Sequence, residues 1–289
     1  MNPEDLKRQI DKMMHEHNNQ GLPDFEGYSP SEMYQIMNFP FSLNSPVQLQ
    51  RLDDDDYTKI PILNQVKYLI GLIEKQGEIK LTTRGYLPVK IVSDLYQQGF
   101  LKDEYIESGI SKLYKETDSM TIHLTKILME LAGLSKKRNG KLSLTNESKR
   151  LLANDDELFR LVFLTFGQKF NWAYFDGYGD NQIGQLGFVF SLILLAKYGQ
   201  EKRLDSFYAG KYFKAFPKLS ESIEHSYGTL ESYLSSCYSL RTFDRFLNYF
   251  GLIKIETEGK RLDSLQYITK TDLFDRLILC ALHKKVDFV

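Results

Sequence analysis

Three stretches of this chain switch from helical to alternating apolar periodicity and back over a short span. They are GLIEKQGEIKLTTRGYLP at 71–88, GLSKKRNGKLSLTNESKRLL at 133–152 and GLIKIETEGKRLDSLQYIT at 251–269. Each joins an apolar helix, a glycine-marked turn, a β-type run ending in threonine and a second helix. A short β-run can bury only one face, and that face has to lie on the neighbouring helices. The pattern therefore specifies small helix-plus-hairpin modules.

In the first module, Ile62, Val66, Leu69, Ile70 and Ile73 recur at helical spacing over 62–75, and Gly77 ends that helix. Ile79 and Leu81 alternate with Lys80 and Thr82 as a strand, and Leu87-Pro88 opens a helix over 89–98 that Gly99 closes. In the second, Leu124, Ile127, Leu128 and Leu131 make the helical face, 136–140 read as a turn, and Leu142 and Leu144 alternate. Asn146 then starts a short helix carrying Lys149, Arg150, Leu151 and Leu152. In the third, Leu240, Phe243, Phe246, Leu247 and Phe250 form an apolar stripe that Gly251 breaks. A hairpin follows, from Leu252, Ile253 and Ile255 through Glu258-Gly259 to Leu265, Tyr267 and Ile268. A last helix over 272–283 offers Leu273, Phe274, Leu277, Ile278 and Leu279, more apolar surface than a lone helix leaves in water. It is expected to pack on the central segment or on a second copy, so a homodimer is the sharper expectation.

On these residues the chain resembles winged-helix domains. The run G-x-I-K-L-T-x-x-G-x-L-P, from Gly77 to Pro88, resembles a segment of functionally uncharacterised bacterial proteins. The resemblance extends over about a third of the chain and implies DNA binding through a helix placed in the major groove, with the wing on the backbone, or protein contacts made by the same surfaces. The first module departs from the family pattern in having a single clear strand where a hairpin is expected.

The charge supports a polyanionic partner unevenly. Residues 1–56 hold eleven Asp and Glu against four Lys and Arg, a local charge of −7, while the remainder carries 33 basic and 27 acidic side chains, or +6. An acidic arm thus precedes a mildly basic body and could screen it. The basic side chains concentrate in the second module, where Lys136, Lys137, Arg138, Lys141, Lys149 and Arg150 face the single acid Glu147. These six are the candidate nucleic-acid-binding residues, through phosphate contacts. The near-neutral total of −1 favours the competing reading, a protein-interaction scaffold, because dedicated DNA-binding domains are usually markedly basic.

Within the arm, 3–18 read as an amphipathic helix with Leu6, Ile10, Met13 and Met14 on one face. Ser29, Pro30 and Glu32 form a capping-box signature before Met33, Ile36 and Met37. Residues 48–56 read as an exposed connector, and the Asp53 to Asp56 run as solvated, because calcium loops need spaced ligands and a glycine turn. Farther on, FNWAYFDGYGDNQIGQLGFVF matches no phosphate-binding spacing and reads as a structural glycine loop tying two helices together. In RLDSFYAGKYFKAFPK, Leu204, Tyr208 and Tyr212 share one helical face, so core packing with a basic rim is expected rather than base stacking, and Trp172, Tyr174 and Phe175 are expected to turn inward.

Catalytic signatures are absent: there is no G-x-S-x-G elbow, no H-E-x-x-H, and no cysteine with an evident histidine partner. His15 and His17 are two apart and point to different faces of a helix; Cys237 and Cys280 read as plain thiols. No metal or cofactor is expected. The most apolar run, 186–196, is about half the ~20 residues a bilayer span needs, and the charged N-terminus lacks an apolar signal core, so a cytoplasmic protein without a membrane anchor is expected.

The expected architecture is mainly α with short β-hairpins: an acidic helical arm and linker (1–56), two winged-helix-like units (57–155), an aromatic-rich helical segment (156–228) and a C-terminal winged-helix-like unit (229–289). The expected function is non-enzymatic DNA binding, with a protein partner as the alternative.

Overall fold

Proline and glycine decide where the helices begin and end. Proline occupies the first turn of Pro3–Asn19, Pro30–Asn38 and Pro61–Gln76, where its missing N–H would have had no helical partner. Ser29 caps its helix by accepting from the Glu32 N–H at 3.2 Å, while the Glu32 carboxylate accepts from the Ser29 N–H at 2.7 Å, completing the expected capping box. Gly77, at φ 74°, stops Pro61–Gln76.

The computed structural model describes residues 2–221, 223, 228–259 and 264–283. Residues 260–263 of the third module and 284–289 of its unit lie outside the described residues. The protein is mainly α-helical with small antiparallel sheets of two or three strands, and it divides into two units.

One unit comprises Arg51–Asn171 with Tyr249–Gly251. Its elements run helix Pro61–Gln76, strand Ile79–Lys80, helix Val89–Gln97, helix Met120–Leu131, then strands Ser135–Arg138 and Lys141–Leu144. The lone strand of the first sequence module finds its partner in the second: Ile79–Lys80 pairs antiparallel with Lys141–Leu144, which also pairs with Ser135–Arg138. The first two modules therefore close a single sheet. Ile62, Val66, Leu69, Ile70 and Ile73 are fully buried, and their helix packs on Met120–Leu131 and on strand Lys141–Leu144. Helix Asp155–Leu164 adds Phe159 and Phe163 to an aromatic cluster in which Phe163 and Phe250 meet edge to face, ring centroids 4.8 Å apart.

The other unit is assembled from Met1–Gln50, Trp172–Asn248 and Leu252–Val289. Helix Phe188–Tyr198 is buried from Phe188 through Leu195, as a core helix. Beside it, Asp205–Ala215 buries Tyr208, Ala209 and Tyr212, the apolar face anticipated from their spacing. Strands Ile253–Glu258 and Leu265–Lys270 form the hairpin read in the third module, with Arg203–Leu204 on the outer side of the second strand.

The glycine loop is tied down by two arginines. Arg241 pairs with Asp176 at 2.5 Å, both side chains fully buried, and donates to the carbonyls of Asn181 and Gly179 at 2.9 and 3.0 Å. Arg245 donates to the carbonyls of Tyr174 and Phe175, each at 2.8 Å. Gly187, at φ 67°, leaves room for Phe216, whose ring would lie 2.4 Å from a Cβ there. Trp172 is buried, but Phe175 turns outward at 70% exposure.

Two further expectations change. The last helix spans only Asp272–Leu277, because from Ile278 the chain extends and pairs with Val47–Leu49, with Leu49 opposite Ile278 and Val47 opposite Cys280. Phe274 and Ile278 are covered by their own chain, whereas Leu279 is exposed. Nor is 48–56 an exposed connector. Leu49, Leu52 and Asp56 are buried, and within the aspartate run Asp54–Tyr57 is a helical turn in which Asp56 pairs with Lys59 at 2.7 Å.

Candidate nucleic-acid interface

The basic hairpin begins with a two-residue turn. Asn139 (φ 50°) and Gly140 (φ 70°) both adopt left-handed backbone, the type I′ geometry that matches the twist of paired strands. Ser135–Arg138 is thus a strand, not part of a turn, and its register against Lys141–Leu144 is settled: Arg138 opposite Lys141, Lys137 opposite Leu142, Lys136 opposite Ser143. On the other side of the central strand, Lys80 is opposite Lys141 and Ile79 opposite Leu142.

Residues directly opposite share a face of a sheet, and successive residues alternate faces. Ile79 and Leu142, both buried, mark the inner face. The outer face carries Lys80, Lys141 and Arg138 side by side across all three strands, with Lys136 beyond, and all four are exposed. Glu78 pairs with Lys141; Lys80, Lys136 and Arg138 have no ion pair among the described residues. Lys137 sits on the edge strand with its ammonium against Gly85, where an added Cβ would lie 2.1 Å from Nζ.

The two candidates on the following helix are placed differently. Lys149 is exposed, whereas Arg150 is engaged by Glu147 at 2.8 Å and Glu157 at 2.6 Å, hydrogen bonds that raise its already high pKa. Of the six sequence candidates, the strand pairing thus joins Lys136, Arg138 and Lys141 on one face and puts Lys137 on the opposite face with Leu142, while Glu147 and Glu157 engage Arg150. It adds Lys80, which is far from them in sequence; the Asn139-Gly140 dipeptide was the signal that could have fixed the register.

The segment between Lys80 and the next helix is anchored from below. Glu116, fully buried, accepts from the Leu87 N–H and contacts His123 Nδ1 at 2.5 Å and Lys126 Nζ at 3.3 Å. Lys126 Nζ donates to the Gly85 carbonyl at 2.7 Å. These bonds hold the turn that displays Arg84, which is exposed. They also draw the polar side chains of Met120–Leu131 inward: Thr121, His123, Thr125 and Lys126 are all buried.

These geometries define a mainly α-helical protein with a three-stranded cationic sheet face. Residues 58–157, less than half of the chain, match the family model of the Y4jL N-terminal domain, an uncharacterised, bacterial-type family. No curated protein and no solved structure matches the chain. Among the described residues, no helix is long and apolar enough to cross a membrane.

Proposed function

We propose that residues 61–144 form a winged-helix domain of a non-enzymatic, cytoplasmic protein that binds DNA through its phosphates. Apart from the short turns Glu104–Glu107 and Glu116–Asp118, the order helix, strand, helix, helix, strand, strand, with the first strand beside the last, supports the winged-helix reading. The observation that carries the binding function is the in-register row Lys80, Lys141, Arg138. Like charges directly opposite one another destabilise a sheet; Glu78 answers Lys141, while Lys80 and Arg138 on either side of it have no ion pair among the described residues, so an anion laid across the row would meet both. A DNA backbone supplies regularly spaced phosphates, and each neutralised phosphate releases counterions.

The third helix contributes little to base reading in this account, because its polar side chains face the unit's interior. Binding is therefore backbone-dominated and weakly sequence-selective. Fluorescence anisotropy with two duplexes of equal length and unrelated sequence tests this. Similar affinities for both, weakened alike when Lys80, Arg138 and Lys141 become alanine, are expected; no binding to either duplex overturns the reading.

A second reading, a protein-interaction module, is favoured by helix Pro3–Asn19, whose Leu6, Ile10, Met13 and Met14 are 47–62% exposed.

A further inference from the structure

In the unit built around helix Phe188–Tyr198, three cations gather about two aromatic rings. Lys211 Nζ lies 4.5 Å from the ring centroid of Tyr198 and 5.4 Å from that of Phe207. The Arg203 guanidinium lies 4.9 Å from the Phe207 centroid and 5.7 Å from that of Tyr198, and Lys197 Nζ is 5.4 Å from Tyr198. Cation–π contact offsets only part of the repulsion among three such charges, so the cluster calls for an anion.

The anion present belongs to the chain itself. Glu26, 171 residues before Lys197, accepts from Lys197 Nζ at 2.7 Å, Lys211 Nζ at 2.8 Å and the Tyr198 hydroxyl at 2.6 Å. Its side chain is only 6% exposed. Glu26 has φ 58°, a left-handed backbone uncommon for any residue with a Cβ, and Gly27 follows at φ 99°. The chain thus reverses sharply just where it delivers this carboxylate, after the short turn Pro23–Phe25. Burial pushes the Glu26 carboxyl up, but the hydrogen bonds from Lys197, Lys211 and Tyr198 outweigh it and hold it below its ordinary value. Lys197 and Lys211 respond in the matching direction: burial lowers both, and Glu26 and Tyr198 together raise them by more.

We propose that Lys197, Tyr198, Arg203 and Lys211 form a binding site for a small phosphate-bearing ligand, and that Glu26 is an internal occupant which the ligand displaces. Arg203 is also paired with Glu201 at 2.5 Å. With Glu26 swung out, the three cations and Glu201 leave two positive charges, which match a phosphate dianion better than a single carboxylate. Lysine ammoniums serve as point charges toward phosphate, the guanidinium presents planar donors, and the tyrosine hydroxyl adds one neutral donor. This site is independent of the cationic sheet face.

The test compares wild type with Glu26→Gln, titrated with inorganic phosphate by calorimetry at ionic strength held constant with chloride. Glu26→Gln should bind phosphate about tenfold tighter or better, since removing an occupant present most of the time restores the competent fraction. Adding Lys211→Ala to Glu26→Gln should abolish that gain, and acetate should bind the Glu26→Gln protein more weakly than phosphate. A folded Glu26→Gln protein that binds phosphate no more tightly than wild type, or a gain that survives Lys211→Ala, overturns the proposal. On the unaltered chain, phosphate should shift the amide NMR signals of Glu26 and Gly27 saturably; shifts no larger than those from chloride overturn it equally, whether or not the variants fold.

Discussion

Lys80 stands directly opposite Lys141 in an antiparallel register, although the two are far apart in sequence and both are exposed. A cross-strand pair of like charge lowers stability, whereas an opposite pair contributes about 0.2–1 kcal/mol relative to a neutral one. Lys80→Glu should therefore leave the melting temperature unchanged or raise it slightly while weakening DNA binding. Stability and binding that fall together would instead make Lys80 a structural residue, as thermal unfolding alongside anisotropy would reveal.

Asp176 and Arg241 form an ion pair with no exposure on either side. Removing one member strands a buried charge, which costs about 3–5 kcal/mol. Asp176→Ala should thus cut deeply into the stability of its unit, and Tyr174 and Phe175 should exchange amide protons faster as their loop loosens. Urea denaturation and hydrogen exchange supply both readouts.

Acid sensitivity should arise in part from Asp156. Burial pushes its carboxyl up, but hydrogen bonds from Arg160 and from the Tyr57 hydroxyl push it down further, leaving it below its ordinary value. The folded state then binds this proton less readily than the unfolded state. Its stabilisation is present above the unfolded pKa of about 3.9 and disappears as pH falls through the lower, folded value. Asp156→Asn should flatten stability against pH in that acidic window and leave its slope near neutrality unaltered.

Burial pushes the thiols of Cys237 and Cys280 up to about 12 each. Since the thiolate is the reactive form, both should react slowly with a disulfide reagent at pH 8 and quickly once the chain is unfolded. Rapid labelling of either thiol in the folded protein would show that its surroundings open readily.

Local elements were legible because their signals are local. The Ser29 capping box, the helix ended by Gly77 and the buried face of Tyr208 and Tyr212 all follow from residues a few positions apart. Pairings across long separations were not. Ile79–Lys80 looked like an incomplete hairpin because its partner begins at Lys141, and 278–280 read as helix because Leu277, Ile278 and Leu279 fit helical and extended chain equally, until pairing with Val47–Leu49 decided it. The candidate site was half visible for the same reason: clustered charge identified Lys136, Arg138 and Lys141, while only the sheet register brings in Lys80 and only tertiary contact removes Arg150.

The salt dependence of duplex binding tests the cationic face most directly. Log affinity against log salt should give a negative slope in wild type, and changing Lys80, Arg138 and Lys141 to alanine should make it shallower by about 0.9 for each phosphate no longer neutralised, hence by roughly 2–3. A folded triple variant with the wild-type affinity and the wild-type slope would contradict the assignment.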